Sequence, residues 1–140
     1  MAFNGKLVEL KTSGSYVEFP IEFIKSESYK VTPEQRMEAS ASRSASGLLK
    51  RSTCTHTASK IDFSTPPVTN REVNAIHTLL SNAFTDSLER KLDIRYYDPS
   101  SDSYNTGTFY MPDTDFNILR VDMAKNIIHY DSIRFAFIEY

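Results

Sequence analysis

One segment of helical periodicity lies in a chain whose other patterns are those of β-strands, and this contrast constrains the fold most. Thr69-Asn-Arg-Glu72 has the form of a capping box, in which the Thr hydroxyl and the Glu carboxylate satisfy the first amides of a helix. Glu89-Arg90-Lys91 places two cations where the dipole at a helix C-terminus favours them. We therefore predict a helix over residues 70–90. Its apolar stripe, spaced by three and four residues, consists of Val73, Ile76, Leu80, Ala83, Phe84 and Leu88.

The remaining regular patterns predict strands. Residues 92–97 and 104–110 flank an Asp-Pro turn and form a predicted hairpin. Residues 132–140 carry apolar side chains on both faces, which is typical of a central strand. Together these patterns predict an α+β, mostly β fold: an antiparallel β-sandwich or barrel flanked by one α-helix, with a long loop or arm. The other predicted strands are residues 6–11, 16–24, 28–32, 54–63, 116–121 and 126–130.

The long loop or arm is predicted at residues 33–53, where no hydrophobic period is sustained. Such a stretch is either an inert surface loop or an arm that becomes ordered against a partner, and both readings stay open. Its apolar pair lies among cations, which favours contact with another subunit. The predicted subunit-contact residues are Arg43, Leu48, Leu49, Lys50 and Arg51.

Size and composition limit the possible class of protein. At 140 residues with 40 % hydrophobic residues, the chain is expected to form a single domain over residues 1–140. A net charge of −2 lacks the basic excess of a nucleic-acid-binding protein, so direct sequence-specific nucleic-acid binding is not expected. A lone Cys54 excludes an internal disulfide framework. With no signal-peptide pattern or long apolar run, we expect a soluble, cytoplasmic protein without a membrane partner.

Catalytic signatures are absent from the sequence: it has no phosphate-binding glycine loop, nucleophile elbow or zinc-protease motif. Cys54 and His56 would share one strand face, but a zinc site needs further ligands. Asp113 and Asp115 lie among turn residues, and His129 ends a strand. We therefore predict a protein that is not an enzyme, with no catalytic, cofactor-binding or metal-binding residues.

Several phrases, in shared order, resemble a small uncharacterised family encoded in phages and prophages of Gram-positive bacteria, commonly among tail genes. The order of elements is also similar to that of the tail-tube and distal-tail proteins of long-tailed phages, in which a long hairpin loop reaches neighbouring subunits. No site residue is implied by this resemblance. The phrases are Met1-Ala-Phe-Asn-Gly-Lys6, Tyr29-Lys-Val-Thr-Pro33, Gln35-Arg-Met37, Gly47-x-Leu49-x-Arg51, Lys60-Ile-Asp-Phe63 with Thr65-Pro66, Tyr104-x-x-Gly107-x-Phe109-Tyr110-x-Pro112-Asp113 and Arg134-Phe-Ala-Phe-Ile-Glu-Tyr140.

The resemblance implies a virion structural protein of the phage tail, made in the bacterial cytoplasm: a tail-tube, distal-tail or baseplate component. Its expected partners are further copies of itself in a ring, most simply a hexamer, and other tail proteins. One alternative is a small β-rich adaptor that binds a protein partner without forming a ring. A less favoured alternative is an enzyme with a dispersed site drawn from His129, Asp113 and Asp115.

Overall fold

The computed structural model describes residues 3–43, 45 and 47–140, and describes the side chains of these residues outside 34–43 and 49–57. Short 3-10 turns occupy Ile21–Phe23 and Ser26–Ser28. The strands and the helix, in chain order, are β1 (Val8–Thr12), β2 (Ser15–Glu18), β3 (Lys30–Arg43), β4 (Leu49–Ser64), β5 (Val68–Thr69), α1 (Asn70–Ala83), β6 (Lys91–Asp98), β7 (Ser103–Tyr110), β8 (Ile118–Asp122), β9 (Ile127–Tyr130) and β10 (Arg134–Glu139).

The strands form two sheets in which every described pairing is antiparallel. The larger sheet has the order β2-β1-β6-β7-β10-β4-β3, and the smaller has the order β5-β9-β8. The predicted α+β, mostly β class is confirmed. The prediction of a central C-terminal strand is also confirmed, because β10 lies between β7 and β4.

The larger sheet curls, and Tyr29 links its distant parts. Tyr29 immediately precedes β3, at one end of the strand order. Its hydroxyl donates to the carbonyl of Tyr97 in β6 at 2.7 Å and approaches the carbonyl of Leu7, just before β1, at 3.4 Å. These contacts join the β3 side of the sheet to the β1 and β6 side, as in a barrel that is partly closed.

Aromatic side chains pack together on one face of this sheet. Phe63 in β4 packs against Phe19 at a centroid distance of 5.3 Å, and against Phe135 and Phe137 of β10 at 5.9 and 6.1 Å. All four rings are buried. Because burial of large apolar side chains is the main driving force of folding, this cluster anchors the central strands.

The start of the helix agrees with the sequence prediction. Thr69 is the N-cap of α1, and its amide and hydroxyl both lie 3.2 Å from Oε1 of Glu72, within the predicted capping box. The buried part of the apolar stripe consists of Ile76, Leu80 and Ala83. This face packs against β1, β5 and β9.

The predicted helix end at residue 90 is wrong, because α1 ends at Ala83. Phe84 is extended, and the Asp86 carboxylate accepts the amides of Leu88 and Glu89 at 3.0 and 3.3 Å, which forms a separate turn. Arg90 has a φ of 53°, which is incompatible with a continued helix. The cations predicted for the last helical turn therefore lie outside the helix.

Paired leucine substitutions test this shorter helix. Leu80→Ala should lower the free energy of unfolding by about 2–5 kcal/mol, because it removes a buried side chain from the core. Leu88→Ala should change it by less than about 0.5 kcal/mol, because Leu88 is 94 % exposed. Urea denaturation followed by circular dichroism measures both values. Equal losses for the two variants would contradict the observed helix end.

Residues 33–53 were predicted to be irregular, and for the described backbone this is wrong. β3 and β4 form a long antiparallel hairpin, interrupted by register shifts between Thr32 and Gln35, between Arg36 and Glu38, and between Glu38 and Ser40. β10 pairs with β4 over residues 60–64 of β4. Beyond residues 60–64, the described pairings of β4 are with β3 alone. This part of the hairpin extends about 30 Å, at about 3.3 Å per residue. We call this part, residues 35–58, the arm.

The strand predicted over residues 16–24 is also shorter in the structure. β2 ends at Glu18, and Pro20 is the N-cap of the following 3-10 turn. Proline has no amide hydrogen to donate to a strand ladder, so the pairing with β1 stops before it.

Tyr29 should make the fold sensitive to high pH. Burial is the largest cause that raises the pKa of its phenol above the ordinary 10.0. The folded state therefore keeps Tyr29 neutral, while the unfolded state ionises above pH 10, so stability is present below pH 10 and falls above it. For Tyr29→Phe we expect the free energy of unfolding at pH 7 to be lower by about 1 kcal/mol. Above pH 10 the free energy of unfolding of this variant should fall less steeply with pH than that of the intact chain, by up to about 1.4 kcal/mol per pH unit. Urea denaturation from pH 8 to 11 measures this, and parallel profiles would contradict it.

Candidate subunit-contact surfaces

The residues of the alternative enzyme site are not brought together. Asp113 and Asp115 line a polar depression of about 330 Å³. His129 lies in β9, where it pairs with Thr69 of β5 and Arg120 of β8, and it does not line the depression. The other lining residues are Lys60, Pro112, Asn117, Ser132, Arg134, Ala136 and Ile138.

Two charged residues that line this depression, Asp113 and Arg134, are engaged in structural ion pairs. Asp113 accepts a hydrogen bond from Arg90 at 2.6 Å, which ties the segment after β7 to the turn that precedes β6. Two guanidinium nitrogens of Arg134 in β10 donate hydrogen bonds to the two carboxylate oxygens of Asp62 in β4. This hydrogen bonding to Asp62 is the main cause that raises the pKa of Arg134. These pairs hold neighbouring segments in register.

No metal centre is found in the part of the chain that the structure describes, where no three His, Cys, Asp or Glu residues group together. The side chains of Cys54 and His56, the sequence pair considered for zinc, lie outside the described residues. Likewise, no helix among the described residues is long and apolar enough to cross a membrane.

A cluster of charged side chains around one buried carboxylate lies between β1 and β6. Glu9 is almost fully buried and binds Arg95, and its other carboxylate oxygen lies 3.4 Å from Nζ of Lys6. Arg95 also stacks over Tyr16 of β2 at 4.5 Å. The hydrogen bond that Arg95 donates to the Glu9 carboxylate is the main cause that raises the pKa of Arg95. The two cations neutralise the buried Glu9 carboxylate, and the stack of Arg95 on Tyr16 links the edge strand β2 to the sheet.

An apolar cavity of about 210 Å³ opens between α1 and the segment that follows β7. Leu80 and Phe84 line its helix side, Met111 and Phe116 line the opposite side, and Phe135 of β10 lines it from the sheet. Apolar cavities of this size accept a hydrophobic group readily. The remaining lining residues are Val73, Ile76, His77, Arg90, Thr114 and Ile133.

Beside the cavity, β8 presents apolar side chains to solvent. β8 is an edge strand of the smaller sheet. Its region contains five large hydrophobic residues that are at least half exposed: Phe116, Ile118, Leu119, Val121 and Met123. Phe116 belongs to both features, so the cavity and β8 form one continuous apolar surface, which we call the β8 surface. Contiguous apolar patches of this kind mark interaction sites, and an unpaired strand edge adds backbone donors and acceptors.

The sequence did not single out the β8 surface. Residues 116–121 were predicted as an ordinary strand, although consecutive apolar residues at Ile118 and Leu119 put hydrophobic side chains on both faces. A short strand of this type is either buried on both faces within its own chain or covered by another molecule. Only the three-dimensional structure distinguishes these cases.

The predicted contact residues lie at the far end of the arm. Arg43 and Leu49 are paired across the hairpin, and Lys50 and Arg51 follow Leu49 in β4. The side chains of these four residues lie outside the described residues, so their role as subunit contacts remains a prediction. Leu48, in the turn, is 69 % exposed.

Charge is unevenly distributed between the two surfaces. The arm, residues 35–58, has four Lys or Arg residues and one acid, Glu38, although the whole chain has a net charge of −2. From Met111 to Asp122, both included, the sequence has three aspartates and a single arginine. The arm is therefore basic, and the segment that leads into β8 is acidic.

The fold described above occurs in a known assembly. One solved structure similar to this chain is the tail of an empty GTA particle, computed with helical refinement and C6 symmetry. The match has a TM-score of 0.52 at 12 % sequence identity, and it covers 99 % of this chain and 95 % of that chain. At this identity the likeness shows a shared fold.

The family is shown by sequence. The chain belongs to DUF6711, a family of unknown function, whose family model matches residues 1–140. No curated protein matches the chain at a significant level.

Proposed function

We propose that this protein is a structural subunit of a phage-type tail that assembles with further copies of itself into a ring. The observation that carries this proposal is the β8 surface, a large apolar area with a free strand edge on a chain that also projects a long arm. An isolated subunit would leave this area in water, and self-association covers it.

The shared fold with a chain of a C6-symmetric tail supports the same proposal. We infer a hexamer as the ring, and a tail-tube, distal-tail or baseplate position, with other tail proteins as further partners. Within this proposal the arm bridges to a neighbouring subunit or to the next layer. The protein acts through shape, and its site of action is the virion tail. A Gram-positive host stays a prediction from the sequence resemblance.

The size of the purified protein in solution tests the proposal. We expect sedimentation velocity between 5 and 200 µM to reveal a species near six times the mass of the chain, and negative-stain electron microscopy to reveal rings or stacked rings. A protein that stays monomeric over this range would overturn the ring. It would favour the alternative of an adaptor, which uses the β8 surface to bind one different protein.

A further inference from the structure

We propose that the β8 surface is the acceptor for the arm of a second copy of this chain, with Leu48 of that copy inserted in the apolar cavity. This inference rests on the proposed self-assembly and adds the location of the contact. It joins two features that the described residues leave without a counterpart within the chain: an exposed leucine on the arm and an open cavity lined by apolar side chains.

The cavity fits this occupant in size and polarity. Its volume of about 210 Å³ exceeds the roughly 150 Å³ of apolar cavities known to accept a benzene-sized group. Leu80, Phe84 and Phe135 supply apolar walls for a leucine side chain. Within its own chain Leu48 does not line the cavity, so an inserted leucine has to come from another copy.

The surroundings of the cavity match those of Leu48 in charge. Leu48 lies among the cations Arg43, Lys50 and Arg51 in the sequence. Exposed Asp115 follows Thr114, which lines the cavity, whereas Asp113 on the other side of Thr114 is paired with the cavity-lining Arg90, so these three charged groups together carry one negative charge. Opposite charges around an apolar anchor steer association and fix its orientation. A second copy of the chain has the same sequence, so it carries the basic arm that this contact requires.

In addition to the cavity, the edge of β8 can bind the backbone of the arm. Both arm and β8 are extended, so β8 can accept backbone hydrogen bonds from an added strand. Stable interfaces bury about 800 Å² on each partner, which is more than one leucine can provide. Exposed Leu119, Val121 and Met123 extend the contact beyond the cavity toward that area.

Cross-linking between two different singly substituted proteins tests the contact. In a Cys54→Ser background, one protein carries Ala45→Cys, in the exposed turn of the arm near Leu48, and the other carries Thr114→Cys, and they are mixed and treated with a short bismaleimide. A product of two chains joined through these cysteines can form only between molecules. We expect its yield to be at least tenfold higher than in a matched mixture in which Ser101→Cys, in the exposed turn between β6 and β7, replaces Thr114→Cys.

The melting temperatures of all variants establish that they are folded, and sedimentation separates the two proposals. If the mixture forms rings but cross-linking through residue 114 equals that through residue 101, the acceptor assignment is wrong and the ring stands. If the proteins stay monomeric at all concentrations, the proposed function fails together with the acceptor.

A second measurement addresses the strand itself. The double variant Leu119→Ser and Val121→Ser should weaken self-association at least tenfold while leaving the melting temperature within about 3 °C, because both side chains are exposed in the subunit. Ile21→Ser, an exposed isoleucine in a 3-10 turn, is the control and should leave self-association unchanged. Equal effects of the two changes would overturn the assignment.

Discussion

Phe137→Ala should lower the free energy of unfolding by about 3–5 kcal/mol, a large share of the 5–15 kcal/mol that stabilises a typical domain. Phe137 is fully buried and lies on β10, which is bonded to β7 on one side and β4 on the other. Its ring packs beside Phe63 at a centroid distance of 6.1 Å. The substitution therefore opens a cavity at the centre of the larger sheet, where the surrounding strands have little freedom to close it.

Ile138→Ala is the matched control, because residue 138 follows on the same strand and points to the opposite, half-buried face. We expect it to cost less than half as much as Phe137→Ala. Urea denaturation at pH 7 measures both. A loss below about 1 kcal/mol for Phe137→Ala would mean that β10 does not hold the sheet together. By the same reasoning, a chain without residues 135–140 should not form a folded, soluble protein.

Removal of the end of the arm should abolish ring formation and leave the rest of the fold intact. Glu38 and Thr53 are paired in the hairpin, so deleting residues 39–52 and joining these two residues through Asn-Gly closes the shortened hairpin with a two-residue turn. In the described pairings the deleted strand residues bond only with each other, so the backbone hydrogen bonds of the remaining strands are retained. We expect a monomer with a melting temperature within about 5 °C of that of the intact chain.

Ala45→Ser, in the turn of the arm, is a control that keeps its length and should assemble as the intact chain does. Sedimentation velocity and negative-stain microscopy compare the three proteins. Rings formed by the shortened chain would show that the arm does not connect subunits. Circular dichroism shows whether the shortened chain is folded. If it is not, Leu48→Ser tests the same contact, because it removes only the proposed anchor and should also lower assembly.

The parts of the fold that follow from local chemistry were predictable. The capping box at Thr69 and Glu72 determines where α1 begins, because its hydrogen bonds need only four consecutive residues. The alternation in residues 92–97 and the Asp-Pro turn after it predict the hairpin of β6 and β7, which the structure contains. The two apolar faces of residues 132–140 indicated a central strand, and β10 is one.

The remaining features depend on contacts between distant residues. The helix ends at Ala83 because Thr85 and Asp86 bond to Lys91 across a turn, and an apolar period through Leu88 gives no sign of that competition. The hairpin of the arm is held by a backbone ladder, which small alternating Ala and Ser residues can form without any hydrophobic pattern. The cavity is bounded by elements from three parts of the chain, so no local motif records it.

The position of β10 also determines when the sheet can be completed during synthesis. β1, β2, β6 and β7 form one antiparallel group, β3 and β4 form another, and β10 is the strand that bonds to both. Both groups leave the ribosome before residues 134–139 do, so each exposes an unpaired strand edge and a row of aromatic side chains until translation reaches β10. The two groups can therefore be joined only after residues 134–139 have been made, and slow insertion of these residues would leave the strand edges exposed to aggregation for longer.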